Sequence, residues 1–84
     1  MPVFLVESYQ PQSIGAHAEA ARLARRAAEI AGEQGIDLRY LRTTLLPTDE
    51  TCFHLFEAPS VAAVEAGLAR AGLGCDRIVE ALTQ

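Results

Sequence analysis

The stretch LRYLRTTLLPTDETCFHLFEAPS, residues 38–60, decides the fold of this chain. Two runs rich in aliphatic and aromatic residues, 38–46 and 51–58, flank Pro47-Thr48-Asp49-Glu50, whose residue types favour a turn, so the segment predicts an antiparallel hairpin. Pro59-Ser60 then opens a helix. Val61, Val64, Leu68 and Ala71 recur along one side of it, and Gly72 stops it.

Working outward, PVFLVESYQ at residues 2–10 reads as a strand that Pro11 ends. From Ser13, an expected N-cap, Ala16, Ala20, Leu23, Ala24, Ala27, Ile30 and Ala31 keep helical spacing until Gly35. Glu19, Arg22, Arg26, Glu29 and Glu33 form the solvated face of that helix, and His17 in its first turn is expected in solvent. CDRIVEAL, residues 75–82, supplies the last strand. The order is βαββαβ with short connections, hence one domain over residues 1–84. Right-handed crossovers lead from that order to an α+β, ferredoxin-like fold: a four-stranded antiparallel sheet, two helices on one face, the other face open.

Composition narrows the function. Half of the 84 residues are apolar and about a fifth are charged, so the chain is globular, yet it is small enough for a partner chain to add useful burial. The net charge of -4, with no basic stripe, argues against nucleic acid and anionic membranes as partners. No apolar run reaches membrane-spanning length, and MPVFLVESYQ lacks the basic start of a secretion signal. A cytoplasmic location follows as an expectation, with Cys52 and Cys75 as free thiols. All seven basic residues are arginine. The absence of lysine excludes a Gly-x-x-x-x-Gly-Lys phosphate loop, Schiff-base chemistry and a Ser-Lys pair.

Alternation sorts the strand side chains between two faces. On the argument that small residues suit the space under alanine-rich helices, Phe4, Val6, Leu41, Leu45, Phe53, Leu55, Val79 and Ala81 are expected beneath the helices. Leu5, Glu7, Tyr9, Tyr40, Arg42, Cys52, His54, Phe56, Ile78 and Glu80 are then expected on the open face. So much apolar area, with Leu5, Phe56 and Ile78 beyond the reach of any helix, predicts a homodimer formed through that face and a polar pocket between two sheets. The candidate ligand-binding residues are Glu7, Tyr9, Tyr40, Arg42, Cys52, His54 and Glu80. Cys52 and His54, alternate residues about 6.6 Å apart along one strand, are close enough to share a metal or a proton. Glu7 and Glu80, on neighbouring strands, offer a carboxylate pair that burial would tune toward acid–base work, or else each pairs with an arginine.

The opening FLVE (residues 4–7), the run CFHLFEAPS (residues 52–60) and the closing DRIVEA (residues 76–81) resemble a family of small bacterial ferredoxin-like proteins of mostly unassigned function, some described as nickel-binding or nickel-responsive. The resemblance spans nearly the whole chain. It implies an architecture like the dimeric α+β barrels, points to Glu7, Cys52, His54 and Glu80 as site residues, and implies nickel or another divalent transition metal held by His54, Cys52 and Glu7. Arg42 departs from the pattern, since the metal-holding relatives carry histidine in this strand, and a guanidinium repels cations. Two functions come forward: a homodimer that binds a small molecule or metal between its sheets, or a cofactor-independent proton-transfer enzyme, an isomerase or cyclase, using His54, Glu7 and Glu80 in the same pocket.

Overall fold

The computed structural model describes residues 1–9 and 15–82. Its elements are β1 (Val3–Tyr9), α1 (Ala16–Glu33), β2 (Arg39–Leu46), β3 (Thr51–Glu57), α2 (Val61–Ala71) and β4 (Arg77–Ala81). The strands form one antiparallel sheet in the order β2-β3-β1-β4, with β1 and β3 central, which is the expected ferredoxin-like arrangement. Pro11 and the Ser13 cap lie outside the described residues, as does the His17 side chain.

Local chemistry explains the element ends. The Ser60 hydroxyl accepts a hydrogen bond from the Ala63 N–H at 3.3 Å, a side-chain cap for α2. Both helices close through a left-handed glycine: Gly35 at φ 75° lets Ile36 N–H donate to Ala31 O, and Gly72 at φ 70° lets Leu73 N–H donate to Leu68 O. A side chain with a Cβ adopts that conformation only with strain. The β2–β3 turn is tied by Asp49 N–H donating to Leu46 O at 3.2 Å.

The core sits between the sheet and the helices. Ala20, Ala24, Ala27 and Ala31 give α1 a flat buried stripe, and Val64 and Leu68 do the same for α2. The space under that stripe is filled from the sheet by Phe4, Val6, Cys52, His54 and Phe56. This reverses the expected faces of β3. Phe4 stands opposite Phe56, Val6 opposite His54 and Ser8 opposite Cys52, so the even-numbered residues of both central strands point at the helices. Phe53 and Leu55 point away. The premise about size was inverted: small residues on a helix bring it close without filling volume, and close packing then requires large side chains from the facing sheet.

The outer strands follow the same register. Ile78 lies opposite Val6 and Glu80 opposite Phe4, on the helix side, whereas Val79 lies opposite Leu5 and Ala81 opposite Val3, on the open side, again the reverse of expectation. In β2 a bulge between Tyr40 and Arg42 changes the alternation partway along the strand. Tyr40, expected on the open face, pairs with Phe56 and turns inward instead, because the bulge shifts the parity between it and Arg42, whereas Leu45 pairs with Cys52 on the helix side, as expected. Arg42 pairs with Leu55 on the open face, also as expected, while Leu41 at the bulge is 39 % exposed and does not sit under the helices.

The helices meet at Gly67, where an added Cβ would run into the Leu38 side chain and lie 3.5 Å from the Ala31 methyl. Gly67 is thus retained for closeness, since its own φ lies in the ordinary range. Gly67→Val should lower stability by about 1–3 kcal/mol through overpacking. Gly74→Ala, where an added Cβ meets nothing within 4 Å, should change it little, as thermal or urea unfolding of the two variants will report.

Candidate functional site

The open sheet face is built around Leu5, which is paired with Leu55 on one side and Val79 on the other. Phe53, opposite Glu7 on β1 and Thr44 on β2, extends the patch along β3. All four apolar side chains are half-buried by their strand neighbours alone. Charged groups ring them: Glu7 with Arg77 at 3.9 Å, and Glu57 with Arg39 at 3.6 Å. The Tyr9 hydroxyl donates to Glu50 Oε2 at 3.3 Å, and the negative charge of Glu50 holds this phenol above its ordinary pKa. Arg42, beside Leu55, makes no ion pair among the described residues.

The seven candidate ligand-binding residues therefore divide. Glu7, Tyr9 and Arg42 gather on the open face, while Tyr40, Cys52 and His54 project beneath the helices. Glu80 is exposed on edge strand β4, on the helix side. Glu7 and Glu80 are not a carboxylate pair, because their side chains leave the sheet on opposite faces, and Glu7 pairs with Arg77 instead. For the same reason Glu7 does not join Cys52 and His54 in one metal set. Among the described residues no group of three or more His, Cys, Asp or Glu side chains is placed to hold a metal. The described side chains of one chain do not fit the nickel site that the family resemblance implied. Phe53, Leu55, Glu57, Arg39, Arg77 and Val79, all on the open face, were missed as site residues. A signal for them exists in the loop length, since a four-residue turn at Pro47–Glu50 makes Leu46 and Thr51 the closing pair and sets Leu45 beside Cys52.

Beneath the helices, β2 and β3 carry a partly buried polar chain. The Tyr40 hydroxyl and Thr43 Oγ1 are 2.8 Å apart, and Thr43 Oγ1 and His54 Nδ1 are also 2.8 Å apart. The Tyr40 and Phe56 rings pack edge to face with centroids 5.8 Å apart, and the Arg25 guanidinium lies over the Tyr40 ring, 5.9 Å from its centroid. His54 is fully buried, and its Nε2 has no partner among the described residues. An unused acceptor is tolerated better than a buried N–H without a partner, which favours the tautomer with Nδ1–H donating to Thr43. Burial pushes the imidazole below its ordinary pKa and the Cys52 thiol above its own. Both are neutral near pH 7. The arrangement orders the core and offers no ready nucleophile. The two cysteines are free, as expected.

The depressed His54 pKa fixes a sign for stability against pH. Below about pH 6.5 the unfolded chain takes a proton that the folded chain refuses, so stability falls with falling pH in that window and is independent of His54 above it. Equilibrium unfolding in a His17→Gln background, which leaves His54 as the one imidazole, should lose up to about 1.4 kcal/mol per pH unit from pH 6.5 toward the folded pKa. A second change, His54→Gln, should flatten that slope.

No family model matches the chain, and no curated protein matches it. Among solved structures, the crystal structure of SCO4226 from Streptomyces coelicolor A3(2) is similar over 98% of this chain and 98% of that one, with 23% sequence identity and a TM-score of 0.71. At that identity the likeness shows the fold alone.

Proposed function

We propose that the chain acts in the cytoplasm as a homodimeric binding protein of the small bacterial ferredoxin-like type, with its two open sheet faces opposed around a small molecule. The observation that carries this reading is the patch of Leu5, Phe53, Leu55 and Val79 on a face that no helix covers. Opposing it to a second copy would remove that area from water, at about 25 cal/mol per Å² of apolar surface buried. The charged rim supports a pocket rather than a dry seam: Arg42, adjoining the apolar floor at Leu55, is the group we assign to the ligand's polar end. The proton-transfer alternative drew on His54 with Glu7 and Glu80, groups that leave the sheet on different faces, so the geometry favours binding over catalysis. Among the described residues no helix is long and apolar enough to cross a membrane.

Light scattering of the unmodified protein at micromolar concentration should give twice the chain mass of 9.0 kDa, and Leu55→Glu should give a folded monomer. Phe56→Glu should instead unfold the chain, because Phe56 is a core residue. A monomeric unmodified protein would overturn the dimer. Native mass spectrometry of the dimer tests the pocket: a mass in excess of two chains that Arg42→Ala removes supports it, and a bare dimer mass refutes a retained ligand.

A further inference from the structure

Away from the open face lies a cavity of about 440 Å³, where the end of β1 meets α1 and the α2–β4 connection. Its walls are Ser8, Tyr9, Leu23, Leu73, Cys75 and Asp76, with the backbone of two glycines between. The volume is ordinary for a small-molecule site. Two features suggest that it is built for an occupant.

The first is Ser8, a residue only 7 % exposed whose hydroxyl is buried without a hydrogen-bond partner among the described residues. A buried hydroxyl left unpaired is costly, and valine or alanine would fill a core position more favourably. The second is Asp76. Its Oδ2 accepts from Tyr9 N–H at 2.8 Å, and its own N–H donates to Glu7 O at 2.8 Å, so two bonds to β1 hold the carboxylate at the cavity wall. Among the described residues no cationic side chain pairs with Asp76 or lines the cavity. Burial first, and then the charges of Asp76 and Glu65, raise the pKa of the neighbouring Cys75 thiol. Gly74 leaves open space where another residue would place a Cβ.

We infer that this cavity binds a small primary alkylammonium ion, its N–H groups donating to the Asp76 carboxylate and, once the buried hydroxyl turns about χ1 toward the cavity, to Ser8 Oγ, with its short chain lying against Leu23 and Leu73. An ammonium supplies three donors and the missing charge, whereas a carboxylate ligand would meet repulsion and find no cation. The site lies on the helix side of the sheet and does not depend on the dimer.

The test is a titration of the full-length, isotope-labelled protein at neutral pH with n-butylammonium chloride, followed by amide chemical shifts, with n-butanol and sodium butyrate as uncharged and anionic counterparts. Butylammonium should produce saturable shifts at Ser8, Tyr9 and residues 72–76, with at least tenfold weaker binding for butanol and none for butyrate. Asp76→Asn should weaken binding at least tenfold. Ser8→Ala should weaken it severalfold. Because Asp76 also holds the β1 backbone, Gly74→Leu is the second variant: it fills the cavity, keeps both polar groups and should abolish the shifts. Equal affinity for butanol, saturable butyrate shifts at the same residues, undiminished binding by Gly74→Leu, or no saturable butylammonium shifts at millimolar concentration would each overturn the proposal.

Discussion

The pairing of Val6 with His54 at the centre of the sheet is the constraint on which the rest depends. Strand side chains alternate with period two, so this one register sends Phe4, Val6, Cys52, His54 and Phe56 to the helices together and sends Leu5, Phe53 and Leu55 the other way. A slip by one residue would exchange the whole set. The alanine stripe of α1 makes the choice unequal: it approaches closely enough that a face bearing two phenylalanines and an imidazole fits, and Thr43 satisfies the imidazole at Nδ1. The buried histidine thereby becomes part of the selection of register, because on the other register Thr43 would no longer stand beside it.

Element order, the hairpin, both helices and their glycine stops were legible in the sequence, because each rests on local signals within a few residues. The faces of β1 were legible too, since Phe4 and Val6 are unambiguous against Glu7. The faces of β3 and β4 were misread. The parity of β4 relative to β1 is a matter of pairing across about seventy residues, which no local preference carries, and that of β3 is written in its hairpin partner Leu45, which the four-residue turn sets beside Cys52. Cys52-Phe53-His54-Leu55 reads plausibly either way, with two apolar residues on one side and a thiol and an imidazole on the other. Only Thr43 and Tyr40, delivered from β2 past a bulge, make the polar side the inner one.

This division also changes what the sequence motif means. Cys52-x-His54 looked like a reactive pair because both residue types ligate metals and carry protons. Enclosure beneath the helices leaves each neutral, so the pair is better understood as packing with one hydrogen bond than as chemistry. The charged groups left on the open face are arginines and glutamates, of which Arg39, Glu57 and Arg77 read, in the linear sequence, as an ordinary solvated surface.

The bulge in β2 has a further consequence for how copies of this chain meet. A sheet edge is a row of unpaired backbone groups that invites another strand, and a long flat edge invites many. Here one edge strand is interrupted at Leu41, and the other, β4, has five residues with Arg77 and Glu80 among them. Neither edge is a good template for strand-by-strand growth. Growth of the sheet from its rim into a fibre is thereby disfavoured, and the proposed contact through the face would use up its surface with one partner and close the pair.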